Sequence, residues 1–457
     1  MERKKAKRKA KDDTPFPSVN PNAAGIDIGS EEHWVAVPED RDEQSIRPFG
    51  SFTEDLHALA DWLRKCGIET VAMESTGVYW IPLFQILETR GFEVKLVNAR
   101  HVKNVPGRKT DVSDCRWLQR LHTYGLLSGS FRPDDSICIL RSYFRHRDNL
   151  IRYASSHVQH MQKALTEMNI HLHKVISDIT GLTGIRIIEA ILVGERDVKT
   201  LSRMKDHRIK SSHETIEKAL QGDYRREHLF TLKQAFELYL FYRQQIEACD
   251  QQIELYLKEL DSRIDPEAHP LLPKRIKLRG NEPRFDLRTH LYRISGVDFT
   301  QIDGLDVGTT KTILSEAGLD PDKFSSSARF AAWLGLCPRN RITGGRIKSS
   351  RTAKVANRAA TAFRLAAQSL SNSRSALGAY YRRMRARMGA PKAITATAHK
   401  LARIFYHMWK YREPYHDLGV DYYEKQYARR IIHNMKKKAK QLGFEMTLLP
   451  LAEGVVS

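Results

Sequence analysis

Long apolar runs are missing from this sequence. No stretch approaches the roughly 18 residues that a membrane span requires, and hydrophobic residues make up 41% of the chain, as in a soluble globular protein. Cysteine is scarce. Cys66, Cys115, Cys138, Cys249 and Cys337 are scattered without CxxC spacing, which argues against a zinc site or disulfide framework and suits a reducing compartment. The opening "MERKKAKRKAKDD" is basic, but no apolar segment follows it, so it does not read as a secretory signal. Acids are outnumbered: Lys and Arg total 75 against 54 Asp and Glu, a net charge of +21. Such an excess points to a polyanionic partner, most simply nucleic acid. The 457 residues are enough for two to four domains.

Patterning divides the chain. Residues 1–22 read as a disordered basic tail. Residues 23–140 alternate strands and helices as β-β-β-α-β-α-β-α, an α/β domain with a mixed sheet. Residues 141–265 are helical. Within them Leu232, Tyr239, Ile246, Ile253 and Leu260 fall seven apart, and Ala235, Tyr242, Cys249 and Tyr256 fill the matching d positions. That repeat predicts a coiled coil or long helical hairpin, serving either oligomerisation or packing within one chain. Residues 266–290 read as a linker rich in Pro and charge. Residues 291–412 are mostly helical, and 413–457 read as a basic helix and tail. "IDGLDVGTTKTILSEAG" resembles a helix-hairpin-helix, whose glycine turn offers N–H groups to a phosphate, or is merely a tight helix connection. "ITGLTGIRIIEAIL" at 179–192 weakly echoes it.

"GIDIGSEEHWVAV" places an acid, Asp27, inside the first strand, where it is costly unless it binds something. Strand–Asp-x-Gly–turn–strand suits the phosphate loop of the actin and sugar-kinase fold or the first strand of RNase-H-like nucleases. A nuclease needs further acids. Glu74 ends the strand "VAME", and Asp111 and Asp114 lie three apart at a helix start, so both face one way. Four clustered carboxylates repel unless cations separate them. Two Mg²⁺ ions, with Mn²⁺ as an alternative, would activate an attacking oxygen and stabilise a leaving one. Singly, each acid has an ordinary explanation, such as a helix-start charge favoured by the dipole.

"GIDIGS", "MESTGVYW", "VKLVNARHVKNVPGRKTDVSDCRWLQ" and "FAAWLGLCPRNRITGGRIKSSRTAKVANRAATAFRLAAQSL" together resemble the DEDD insertion-sequence transposases with a RuvC-like N-terminal domain. The likeness runs from about residue 23 to 445. It implies an α/β plus all-α chain: a RuvC-like (RNase-H-like) catalytic domain, a coiled-coil arm and a helical C-terminal transposase domain. The family pattern falls on Asp27, Glu74, Asp111 and Asp114. The resemblance further implies DNA recombination through a covalent protein–DNA ester, guidance by a structured non-coding RNA, and a homo-oligomer, dimer or tetramer, acting on element ends and target in the bacterial cytoplasm at the nucleoid. A related DNA invertase, a hydrolytic junction nuclease and an impaired nucleic-acid-binding remnant are the alternatives.

One departure stands out. The family nucleophile is a serine before the paired glycines, and Thr343 occupies that position. Threonine keeps the hydroxyl but adds a β-methyl that restricts χ1. Three options follow: Thr343 attacks, Ser349 or Ser350 replaces it, or strand cleavage is impaired. Gly344 and Gly345 would admit a phosphate close to the backbone. Around them Arg339, Arg341, Arg346, Lys348, Arg351, Lys354 and Arg358 suit phosphate binding. Arg382, Arg383, Arg385 and Arg387 repeat the pattern, with Tyr380 and Tyr381 nearby for stacking. Arg108 and Lys109, beside Asp111, would sit over the scissile phosphate. The acids and the hydroxyl lie over two hundred residues apart, so they would meet within one chain or across subunits.

Overall fold

The computed structural model describes residues 17–75, 77–97, 111–273, 280–353 and 355–447, with the backbone alone at 111–113. The chain divides into two compact units, Met1–Arg132 and Pro133–Ser457.

The first unit is a five-stranded sheet in the order β3-β2-β1-β4-β5. Its strands are β1 (Ala23–Ile28), β2 (Glu32–Ala36), β3 (Ile46–Gly50), β4 (Thr70–Glu74) and β5 (Glu93–Val97), with helices α1 (Thr53–Lys65), α2 (Trp80–Thr89) and α3 (Asp111–Thr123). The first three strands are antiparallel neighbours, while β4 and β5 run parallel to β1. This mixed α/β order is that of RuvC-like domains, as the sequence implied. Alternation along the strands sends Ile26, Ile28, Val71 and Met73 to one face, where they pack with Leu56, Leu59 and Leu63 of α1 and Leu83 and Leu87 of α2. Ala72 and Val97 face the other way, against Leu118 of α3. Both faces of the central strands are therefore covered, which is why they read as apolar runs. The tail read as residues 1–22 is tied down at its end: the Val19 and Asn20 N–H groups both donate to the Thr123 carbonyl.

The second unit is helical. Its long elements are α4 (Asp135–Glu167) and α9 (Arg226–Glu259), with α5 (Leu172–Val175), α6 (Leu182–Leu192), α7 (Val198–Arg203) and α8 (His213–Leu220) between them. Then come α10 (Leu287–Ser295), α11 (Val307–Ala317), α12 (Ser327–Trp333), a hairpin of β6 (Arg341–Thr343) and β7 (Arg346–Ser349), α13 (Arg358–Ser369), α14 (Ala376–Met388), α15 (Ala390–Tyr411) and α16 (Gly419–Gln441).

The heptads of α9 face α4 of the same chain. Tyr256 donates to the Ser136 carbonyl, Arg147 pairs with Asp250, and His157 stacks on Tyr242. Those pairs make the two helices antiparallel. Leu232, Ala235, Ile246, Cys249 and Ile253 are buried as the repeat requires, but Leu257 replaces Tyr256 as the last buried position. A straight helix drifts from a strict seven-residue repeat, so the seam moves one place over several turns.

Salt bridges join this hairpin to the later helices: Arg145 is bidentate to Glu316, and the buried Lys311 lies 3.2 Å from Asp148. Phe299, Phe330, Phe363, Phe405 and Trp409 form an aromatic core, with Phe299 and Phe405 stacked at 3.9 Å. The turn before α11 is packed at Gly304, while Asp306, Val307, Gly308 and Thr309 at the helix start line an open cavity. A Cβ on Gly304 would meet the Ala366 carbonyl at 2.7 Å, and the Asp306 carboxylate already accepts the Thr309 N–H at 2.8 Å. The packed Gly304 suits a tight connection, and the open helix start leaves room for a phosphate contact, so both readings of this segment stand. No helix among the described residues is long and apolar enough to cross a membrane.

Candidate active site

The acids of the first unit can be placed from strand register. Gly25 pairs with Ala72 and Ile26 with Met73 in the parallel β1–β4 ladder. One residue further along, Asp27 and Glu74 stand side by side at the carboxyl ends of adjacent strands. Their side chains leave the face opposite Ile26 and Met73, which is the face that α3 covers. Across the antiparallel ladder, Asp27 is paired with Trp34.

Helix α3 runs back along β1. Its end, Thr123, meets Val19 and Asn20 before the strand starts, and Cys115 and Gln119 press on Gly25. That approach requires glycine: an added Cβ would lie 2.3 Å from the Gln119 nitrogen. Asp27, two residues on, therefore faces the first turn of α3, where Asp111 and Asp114 lie. The Cys115 thiol reports the same neighbourhood. Burial pushes its pKa up to about 12, and the Asp27 carboxylate adds to the shift. Asp27, Glu74 and Asp114 are each half-buried.

Among the described residues, no group of three or more His, Cys, Asp and Glu side chains is arranged to hold a metal ion. The Asp111 carboxylate lies outside that description, as do Arg108, Lys109 and Lys354. In kind, the donors suit Mg²⁺, which takes hard carboxylate oxygens and retains water.

In the second unit, Thr343 ends β6 at the tip of an exposed hairpin. Gly344 and Gly345 form its two-residue turn at φ +55° and +73°, the left-handed pair that a twisted hairpin requires and L side chains resist. Thr343 is paired across the turn with Arg346, so hydroxyl and guanidinium share one face. Arg339, Arg341, Lys348 and Arg351 are exposed around them. Ser350 is exposed, while Ser349 is half-buried and its Oγ accepts the Arg351 N–H at 3.4 Å. Arg358 lies at the start of α13, 3.6 Å from Asp148.

The second arginine cluster divides. Arg385 and Arg387 are exposed. Arg382 donates to the Ser373 carbonyl, and Arg383 pairs with Glu424 and lies 3.4 Å over the Tyr427 ring. Tyr381, expected to stack on bases, is 3% exposed and belongs to the core; burying this apolar ring is worth more to the fold than presenting it. Tyr380 instead meets Lys400 and Tyr423. Sequence reading missed that grouping because three separate helices supply it. The closely spaced tyrosines of "DYYEKQYARR" were its visible trace.

An RNase-H-like sheet with paired strand-end acids, followed by a basic helical unit, defines an enzyme that processes nucleic acid. Residues 24–170 match a family model described as "Transposase", built on the DEDD transposases of the IS110 type. Residues 298–382 match one described as "Transposase IS116/IS110/IS902 family". The chain belongs to the IS110-type transposases and is a DNA transposase/recombinase. No curated protein matches it.

Proposed function

We propose that this transposase cuts and rejoins DNA at specific sites through a protein-bound intermediate. The observation that carries this reading is the register that sets Asp27 beside Glu74, facing the first turn of α3. Asp27, Glu74, Asp111 and Asp114 would hold Mg²⁺, which when bound supplies positive charge for the phosphoryl oxygens. Without a cation, carboxylates so placed repel one another.

Thr343 is the nucleophile. Its Oγ forms a bond to phosphorus as one P–O bond of the DNA breaks, and the hydroxyl proton leaves to solvent. The departing DNA oxygen takes up a proton. The ester conserves the phosphodiester, so rejoining needs no outside energy source. Arg346 faces the same side of the hairpin and stabilises the charge that builds on phosphorus. Gly344 and Gly345 let the backbone approach the phosphate, and Arg339, Arg341, Lys348 and Arg351 hold the flanking backbone. A structured non-coding RNA guides the choice of site, in keeping with the +21 charge and the family likeness. The working form is a homo-oligomer. Exposed Phe230, Leu238 and Phe241 on α9 offer apolar surface for it.

Recombination on DNA carrying the element's ends tests the reading. Asp27→Asn and Thr343→Ala should each abolish both cutting and recombination. Full recombination by Thr343→Ala would assign the attack to another hydroxyl, and cutting without rejoining would point to hydrolysis.

A further inference from the structure

Two cavities open on α15, of about 760 and 380 Å³, and share Lys400 and Ile404 as a common wall. Lys400, Arg403, His407 and Tyr411 lie along one face of that helix, at spacings of three or four residues. The span from Lys400 to Tyr411 is roughly 16 Å at 1.5 Å per residue. Cation and ring alternate around it. The Lys400 ammonium lies 4.6 Å from the Tyr380 ring and 5.6 Å from Tyr423. Tyr411 at one end is 60% exposed and Tyr422 at the other 47%.

The acids in these walls are already engaged. Asp322 pairs with Lys410. Asp417 accepts the Ala376 N–H at 3.1 Å and the Tyr415 hydroxyl at 3.4 Å. Lys410 offsets Asp322, so Lys400, Arg403 and Arg430 face one unneutralised carboxylate, Asp417, and the walls stay net positive. Burial, with Arg430 nearby, holds the Lys400 ammonium below its usual range, a repulsion that a bound anion relieves. A cationic groove punctuated by exposed rings takes nucleotides whose bases are unstacked; a duplex cannot offer its base faces.

We propose that the joined cavities form a track for an unpaired nucleic-acid strand, with phosphates at Lys400, Arg403 and Arg430 and bases against Tyr411 and Tyr422. The inference rests on the reading of the chain as a recombinase and adds a site separate from the Thr343 hairpin. It gives the protein a place to hold the single strand that any exchange of pairing partners exposes.

The test is fluorescence anisotropy on the full chain with labelled oligothymidylate, oligouridylate and a blunt duplex, at fixed salt. Arg403 and Tyr411 are exposed, so Arg403→Gln and Tyr411→Ala leave the core intact. Each should weaken strand binding about tenfold and duplex binding less than about twofold. A loss confined to oligothymidylate assigns a DNA strand and one confined to oligouridylate an RNA strand; both support the track. Unchanged strand affinity in both variants, or an equal loss for duplex, overturns it. Asp27→Asn separates the two readings. If that variant cuts DNA like the parent, the carboxylate chemistry fails and the track stands; if the track fails, that chemistry is untouched.

Discussion

Replacing Gly25 with alanine puts a Cβ 2.3 Å from the Gln119 nitrogen and 2.4 Å from the Cys115 carbonyl oxygen. Ordinary contact begins near 3.4 Å, so α3 must retreat by about 1 Å; both neighbours are backbone and cannot rotate away. Overpacking of this kind costs about 1–3 kcal/mol. The chemical effect should be larger than the thermal one. Helix α3 carries Asp111 and Asp114, proposed above as metal ligands, and if they act so a 1 Å misplacement costs on the order of 100-fold in rate. Urea denaturation reads the first quantity, and single-turnover cutting of DNA under folded conditions reads the second. A Gly25→Ala chain that is fully folded, equally stable and within about twofold of the parent rate would refute the claim that this contact positions the acids.

Three further outcomes are expected. His122 is 1% exposed, with its Nε2 2.8 Å from the Thr70 hydroxyl. Burial, aided by Lys95, lowers its pKa to about 4 from 6.5. The unfolded chain therefore binds the extra proton first as pH falls, so this stability is present above pH 6.5 and lost toward pH 4, by on the order of 3 kcal/mol at most. Denaturation of His122→Gln across that window should show a flatter pH dependence, and an unchanged slope would contradict the assignment. Arg147, 2% exposed, pairs with Asp250. Arg147→Ala should lower the unfolding free energy of the helical unit by about 3–5 kcal/mol, since it strands a carboxylate; a shift under 1 kcal/mol would show that water reaches Asp250. Replacing both Gly344 and Gly345 by alanine should cost about 2–4 kcal/mol locally at the turn, about 1–2 for each positive φ. It should depress strand transfer while the global melting temperature holds.

The first unit was legible because its signals are local. The short apolar runs "AAGIDI" and "TVAME" gave strands, the Leu56–Leu59–Leu63 stripe gave α1, and register sets Asp27 beside Glu74. Thr343 was legible as a residue, and the glycine pair after it as a turn. Long-range packing was not. Nothing in the heptads of α9 names α4 as their partner, since a repeat defines a face and not what covers it. Tyr381 and Tyr380 are adjacent in sequence, yet one is core and the other lines a cavity, because neighbouring residues on a helix point about 100° apart. Lys400, Tyr380 and Tyr423 belong to three helices, so only the fold assembles them.

The central claim is that a hydroxyl on the hairpin attacks DNA with help from the strand-end acids. Its most direct test is mass-spectrometric mapping of a DNA-linked peptide after incubation with Mg²⁺, flanking DNA and the element's non-coding RNA. The account predicts a phosphoester on Thr343 that disappears in Thr343→Ala and in Asp27→Asn. An ester on Ser349 or Ser350 would contradict the assignment of Thr343, and DNA cut without any adduct would contradict the covalent route altogether.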